Sequence, residues 1–146
     1  MLKGILSALR TDIQKGRLAR FEEKVHADVY SDLLSQSEGL RGEGFSRAAT
    51  VIAGAALEEH VRQLATKYGI PTLHNGKPKK ASMLNNELKG AGVYTDAQRT
   101  IVEGWQKLRN VAAHGQPGFD GADTSHAGSV ESMISGIRGF IVQYPA

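Results

Sequence analysis

The stretch FSRAATVIAGAALEEHVRQLATKYGIP, residues 45–71, carries the clearest structural signal of the chain. Its apolar residues recur every three or four positions, which is the spacing of side chains on one face of an α-helix. One face contains Leu57, Val61, Leu64 and Tyr68, and a second contains Phe45, Ala49, Ile52 and Ala56. Because its first half is apolar on more than one side, we expect this helix to be the central helix of a bundle.

The same stretch contains four very small residues, AGAA at positions 53–56, and ends in YGIP. Side chains this small allow a second helix to approach closely. Gly69 can adopt the left-handed conformation that ends many helices, and Pro71 cannot continue one. The stretch therefore predicts a close helix–helix contact in its first half and a helix end at the glycine.

Helical spacing recurs along the rest of the chain, whereas no segment shows the strict alternation of a strand. Before the central helix we predict a helix over residues 2–14 that ends near Gly16, and another over residues 21–40. The second of these carries one apolar side, formed by Phe21, Val25, Val29 and Leu33. After the central helix, residues 70–80 are predicted to form a loop and residues 81–90 a short helix.

The C-terminal third predicts two further helices. Thr95, followed by Gln98 three residues later, is typical of a capping box at a helix start. The apolar face of this helix comprises Ile101, Trp105, Leu108 and Ala112. Residues 115–124 form a Gly-rich loop, and a last helix covers about residues 125–143. The sequence thus predicts an all-α fold, a bundle of four to six helices with short connections.

The composition fits a single globular domain, 1–146, with 40% apolar and 23% charged residues. The absence of cysteine excludes disulfides and thiolate metal sites, and it favours a cytoplasmic location. No apolar run approaches the roughly 20 residues that span a bilayer, and the first residues are too polar for a secretory signal. The net charge of +3 permits a nucleic-acid partner without requiring one.

A second stretch, KLRNVAAHGQP at residues 107–117, places an arginine, an amide and a histidine on the last turns of a helix. The stop signals put His114 at the C-cap and Gly115 just beyond it. Asn110 and His114 are four apart and share a face, while Arg109 is rotated from His114 by about 140°. Together they can hold a phosphate between a guanidinium and an ionisable ring. In the simpler interpretation, the cations only compensate the helix dipole.

The segment RNVAAH, residues 109–114, resembles the motif of the HEPN (higher eukaryotes and prokaryotes nucleotide-binding) superfamily, an arginine and a histidine near a helix end. The segment AGAALEEHVRQLA, residues 53–65, is similar to the second bundle helix of HEPN-like bacterial proteins of unassigned function. The resemblance covers about residues 20–144, so the N-terminal helix of residues 1–18 lies outside it. It implies a metal-independent endoribonuclease without a cofactor, used in toxin–antitoxin, phage-defence or RNA-processing systems.

The resemblance also implies roles for the three residues. RNA cleavage without a metal needs a base for the 2′-hydroxyl, an acid for the leaving 5′-oxygen and a cation for the phosphorane. His114 is expected to act as acid or base, Arg109 to bind the phosphate, and Asn110 to orient the histidine or a phosphate oxygen. Since one histidine does not easily fill both proton-transfer roles, a homodimer with two facing motifs is expected. The small residues 53–56 and the apolar excess of the third and fifth helices also predict a two-fold dimer.

Other residues are supporting candidates. Glu58 and Glu59 are polar positions within an apolar helix, and either is a candidate to pair with Arg109 across the bundle. Three lysines of the predicted loop are candidates to contact RNA phosphates: Lys77, Lys79 and Lys80. His60 is assigned to the structure rather than to catalysis. The histidines show no ligand spacing, so no metal site is predicted.

Two other functions remain open on the sequence. One is a catalytically silent HEPN-like module that binds nucleotide, RNA or a protein partner such as a cognate antitoxin. The other is a structural dimerisation bundle, in which RNVAAHG is only a helix end.

Overall fold

The computed structural model describes the backbone of residues 2–146 and the side chains of residues 10–146. Over this range the chain forms five α-helices: α1 Leu2–Gly42, α2 Ser46–Lys67, α3 Ala81–Gly90, α4 Asp96–Ala113 and α5 Ala127–Gln143. The predicted all-α bundle of four to six helices is confirmed. The predicted loop over residues 70–80 contains one small antiparallel hairpin, β1 Leu73–His74 and β2 Lys77–Pro78. Asn75 and Gly76 form its turn with positive φ angles, as tight hairpins require.

The helix α2 is central, as its apolar faces predict, and it contacts α1, α3, α4 and α5. Leu57, Val61 and Leu64 are fully buried, whereas Tyr68, just beyond the end of the helix, is half-exposed. The small residues make the predicted close contact: a Cβ atom on Gly54 would lie 2.1 Å from Cγ of Arg109 on α4. This segment is therefore covered within one chain and offers no broad surface to a second copy.

The two predicted N-terminal helices are one continuous helix, so the expected break near Gly16 is wrong. A single interior glycine costs a helix only about 1 kcal/mol relative to alanine, and no proline or left-handed residue follows it. Although α1 is 41 residues long, neither it nor another helix of the described chain is apolar enough to cross a membrane.

The covered face of α1 differs from its apolar side. Leu34 and Tyr30 are buried against the bundle, and the buried Ser37 hydroxyl donates to the carbonyl oxygen of Ala49 at 2.6 Å. Four apolar residues on the other side are exposed, by 44–64% of their surface: Leu18, Phe21, Val25 and Val29. Residues 10–22 are all exposed, so this part of α1 extends past the end of α2.

The capping residues at the helix ends determine where the short connections begin and end. At the end of α2, Gly69 has φ +72° and the Ile70 amide donates to the Ala65 carbonyl at 2.8 Å. This six-residue backbone bond is the mark of a Schellman motif. At the start of α4, the Thr95 hydroxyl accepts from the Gln98 amide at 3.2 Å, which confirms the predicted N-cap. The helix α5 begins two residues later than predicted, at Ala127.

An aromatic cluster closes the bundle at the end where α1 leaves it. His60 is only 1% exposed, and its Nε2 atom lies 2.7 Å from the Tyr144 carbonyl, to which it donates. Its ring packs edge-on against Tyr30 and Phe140, with centroid distances of 5.8 and 5.6 Å. His60 is thus part of the core.

Candidate functional site

The last two turns of α4 form one wall of a cavity of about 330 Å³. Arg109, Asn110 and His114 all lie on this wall, so the structure brings the three motif residues to one place. The remaining lining residues come from α2, from the start of α3 and from α4 itself: Gly54, Glu58, Lys80, Ala81, Ser82 and Gln106. The cavity therefore combines positive groups, one carboxylate and two carboxamides.

The position of Arg109 depends on Gly54. The aliphatic stem of the arginine packs over the glycine, in space that any Cβ atom would occupy. Its Nη1 atom donates to Oδ1 of Asn110 at 3.3 Å, and its Nε atom is buried without a hydrogen-bond partner among the described residues. A buried N–H without an acceptor is costly, so this Nε atom is an unsatisfied donor beside the cavity.

His114 is the C-cap of α4, as predicted, and its side chain is exposed. The helix end is a second Schellman motif, in which Gly115 has φ +72° and the Gln116 amide donates to the Val111 carbonyl. This geometry stops the helix at the histidine. The imidazole therefore lies at the rim of the cavity, where solvent reaches it.

An arginine from α2 holds this helix end in place, and sequence reasoning missed it. Arg47 donates from Nη1 to the Ala112 carbonyl at 2.6 Å and from Nη2 to the Gln116 carbonyl. Its guanidinium also lies over the Phe119 ring, 5.0 Å from the centroid. Carbonyls at a helix C-terminus lack intrahelical partners, and Arg47 supplies them. The residues whose carbonyls it binds lie 65 and 69 positions later in the sequence, so no local pattern connects them to Arg47.

Gln106 is the second missed residue. It lines the cavity, and both its Oε1 and its Nε2 atoms are buried without a hydrogen-bond partner among the described residues. It precedes Arg109 by three residues, so it lies on the same side of α4. This spacing was a signal that could have found it. Its amide offers one acceptor and one donor group side by side.

The two candidate glutamates point to different places. Glu58 lines the cavity and forms an ion pair with Arg62 at 3.7 Å rather than with Arg109. Glu59 is exposed on α2, where it accepts from Nε2 of Gln63 at 2.9 Å, and it does not line the cavity. Of the pair, only Glu58 can act on a ligand held by Arg109.

The three candidate lysines are similarly divided. Lys80 lines the cavity at the start of α3. The side chain of Lys79 is only 9% exposed, and its Nζ atom lies 2.9 and 3.0 Å from the two carboxylate oxygens of Glu87. Lys77 is exposed on β2 and does not line the cavity. The cavity therefore contains two permanent cations, Lys80 and Arg109, against the single carboxylate of Glu58.

His114 and Asn110 also border a second, shallower concavity of about 500 Å³. Its other side includes His126, whose ring packs on Phe119 at a centroid distance of 4.9 Å. This brings a second histidine of the same chain to the neighbourhood of His114, which the sequence did not predict. No group of three or more His, Asp or Glu side chains among the described residues is arranged to hold a metal ion.

Comparisons with protein-family models, with curated proteins and with solved structures give no match for this chain. The function must therefore be inferred from the contents and geometry of the cavity.

Proposed function

We propose that this chain is a metal-independent endoribonuclease of the HEPN type, with its active site in the cavity at the end of α4. One observation carries the proposal: Arg109, Asn110 and His114 line a single cavity together with Glu58. Cleavage of an RNA phosphodiester by the neighbouring 2′-hydroxyl needs a positively charged site, a general acid and a general base.

The scissile phosphate would bind between Arg109 and Lys80. The unpartnered Nε atom of Arg109 and its free Nη2 edge form a two-pronged donor for phosphate oxygens. Asn110 accepts from Nη1 and so orients the guanidinium. As negative charge grows on the phosphorane, the same two cations stabilise it.

The proton transfers would use the two titratable groups of the cavity. The Glu58 carboxylate takes the proton of the 2′-hydroxyl as the bond between O2′ and phosphorus forms. Protonated His114 gives its proton to O5′ as the bond between phosphorus and O5′ breaks. The products are a 2′,3′-cyclic phosphate and a 5′-hydroxyl. Both transfers are then made by one chain, whereas the resemblance implies a second histidine from a dimer partner.

Gln106 would recognise the substrate next to the phosphate. Its buried amide presents an adjacent donor and acceptor, which matches the edge of a nucleobase. We therefore expect the substrate to be RNA with an unpaired base at the cleavage position, because the Watson–Crick edge of a base in a duplex is already hydrogen-bonded.

The decisive experiment incubates single-stranded RNA with the purified protein in EDTA and compares variants. His114→Ala and Arg109→Ala are each expected to reduce cleavage by about 10²–10⁴-fold, the size of a lost proton transfer or charge contact. His74→Ala, on the exposed hairpin, is the matched control and should cleave like the wild type. Wild-type cleavage by His114→Ala, or a requirement for Mg²⁺, would contradict the proposal.

Two further variants identify the base. Glu58→Gln should reduce cleavage about 10²-fold, and His126→Asn should leave it unchanged. The reverse result would make His126 the second proton-transfer group and would leave the ribonuclease proposal in place. Analysis of the products should find the cyclic phosphate.

A catalytically silent binding module is the second candidate. The three buried polar atoms of Gln106 and Arg109 that lack partners among the described residues favour it equally. Binding of 2′-deoxy-substituted RNA, which cannot be cleaved, separates the two. Affinity without cleavage of ordinary RNA would establish the binding module, and its affinity should fall steeply with salt. A role in toxin–antitoxin or phage defence, in the cytoplasm and with an antitoxin as partner, belongs to the ribonuclease proposal. Growth arrest on expression, lost in His114→Ala, would support it.

A further inference from the structure

The exposed apolar stripe of α1, defined by Leu18, Phe21, Val25 and Val29, is not used by the bundle. At 100° per residue these four side chains fall within about 80° of the helix circumference. Tyr30 and Leu34, which face the bundle, lie roughly 140–180° away from the centre of the stripe. The stripe is therefore on the outer side of α1, and it extends past the end of α2 as far as Leu18.

The projecting part of α1 lacks the support that a helix of this kind needs. Residues 10–22 are all exposed and extend roughly 20 Å at 1.5 Å per residue. The ion pair between Glu23 and Lys67, at 2.7 Å, marks the place where α1 meets the last residue of α2. An isolated helix of this length is only marginally stable in water, and most helices are stabilised by covering an apolar face. The stripe supplies such a face.

The charges beside the stripe indicate what covers it. Arg10 and Arg17 lie along one flank near the start of the helix, and Asp28 and Asp32 continue the same flank. All four are exposed, and none forms an ion pair with another described residue. In an antiparallel helix pair, like flanks face each other. A second copy of this helix running in the opposite direction would place each basic segment beside an acidic one.

We infer that two copies of this chain associate through the stripe of α1 as an antiparallel helix pair. A two-fold axis between Phe21 and Glu22 places Leu18 opposite Val25 of the second copy and Phe21 at the centre. The same axis brings Arg17 within two residues of Asp28. The surface is thus self-complementary at Leu18, Phe21 and Val25 and along its charged flank, while Val29 lies opposite Gln14 of the second copy.

This interface differs from a shared catalytic cleft. The stripe lies at the C-terminal end of α2, beside Lys67, whereas the carbonyls that Arg47 holds mark the N-terminal end. The cavity residues Gly54 and Glu58 lie roughly 14–20 Å from Lys67 along the axis of α2, and the helix end at Arg47 lies roughly 30 Å from it. An α1-mediated dimer therefore keeps the two His114 cavities apart, and each cavity must be complete in its own chain.

The test measures the mass of the intact protein in solution by light scattering at tens of micromolar. The wild type is expected at twice the chain mass of 15.7 kDa. Phe21→Asp should be a monomer, because it places a charge at the centre of the pair. Val142→Asp is the matched control, since Val142 is 75% exposed on α5 and lies outside the stripe, and this variant should remain a dimer. A monomeric wild type, or a dimeric Phe21→Asp, would overturn the inference.

A second measurement determines whether the two α1 helices run antiparallel or parallel. Because the chain has no native cysteine, only the introduced cysteines can be cross-linked. Arg17→Cys and Asp28→Cys chains of different mass are mixed and treated with a short bismaleimide. An antiparallel pair should give mainly the mixed product. Cross-linking of each variant only with itself would show a parallel pair and overturn the model. The Phe21→Asp monomer should keep the cleavage rate of the wild type per chain; loss of cleavage would instead support the shared cleft.

Discussion

The cluster around His60 and the cavity around His114 hold the same kind of side chain in opposite environments. Both histidines lie on helices close to charged residues, and the sequence gives each a plausible role. His60 is enclosed by aromatic rings and donates from Nε2 to the Tyr144 carbonyl. His114 stands at a helix end beside an open cavity. The comparison teaches that enclosure, rather than neighbouring residues in the sequence, decides whether a histidine can transfer protons.

The titration of His60 shows the effect of enclosure. The pKa of His60 is lowered to about 4, chiefly by burial; the hydrogen bond to Tyr144 opposes this shift, and the nearby His26 and Lys67 add to it. Its Nδ1 atom is buried without a partner among the described residues, so a second proton would create a donor with no acceptor. His60 is therefore neutral near pH 7 and contributes packing and one hydrogen bond.

Exchanging the two histidines for alanine should give the largest contrast. His60→Ala is expected to lower the free energy of unfolding by about 3–5 kcal/mol, as for other large buried side chains. His114→Ala should change it by no more than about 1 kcal/mol, the value of a helix-end charge. Urea unfolding at pH 7 measures both. Similar destabilisation by the two variants would make RNVAAHG a structural helix end.

The second largest expected effect is the loss of stability in acid, which the buried His60 should cause. Because the folded-state pKa of His60 is below its unfolded value of 6.5, the unfolded chain binds the proton first as pH falls. Neutral His60 makes its full contribution to the free energy of unfolding above pH 6.5. This contribution decreases as the pH falls through 6.5 towards about 4. The loss is roughly 3 kcal/mol for a shift of this size. His60→Leu should remove this part of the pH dependence. An unchanged difference between pH 7 and pH 4 would contradict the assignment.

A smaller effect should follow from filling the space beside the cavity. Gly54→Ala places a Cβ atom on the Arg109 stem, so we expect about 1–3 kcal/mol of destabilisation and loss of most cleavage. Gly104→Ala is the control on α4, where no atom lies within 4 Å of the new Cβ. It should stabilise the helix by up to about 1 kcal/mol and leave cleavage intact. Equal behaviour of the two variants would show that Arg109 does not depend on Gly54.

The smallest effect is expected at Asn110. Asn110→Ala removes the acceptor of Arg109 Nη1 but no proton-transfer group, so cleavage should fall only about tenfold, equivalent to ~1.4 kcal/mol. Initial rates at saturating RNA measure this. A loss as large as that of His114→Ala would give Asn110 a direct part in the chemistry.

Local signals predicted much of this molecule, and distant contacts account for the rest. The stretch 45–71 predicted the centre of the bundle because its faces are apolar nearly all round. The break expected in α1 near Gly16 was wrong because a lone interior glycine does not end a helix. Periodicity also identified an apolar side of α1 without telling whether the bundle covers it. Helix-end signals placed His114 correctly. The choice of Glu58 over Glu59 depends on a rotation of about 100° against α4, which no spacing in the sequence reveals.

The contact between Gly54 and Arg109 also changes how related sequences should be compared. The space for the arginine stem belongs to α2, 55 positions before the residue that occupies it. A relative with intact Arg109, Asn110 and His114 equivalents but a larger residue at position 54 would carry the motif without room for it. A glycine at position 54 is therefore a second sequence requirement for this placement of the arginine, separate from the motif itself.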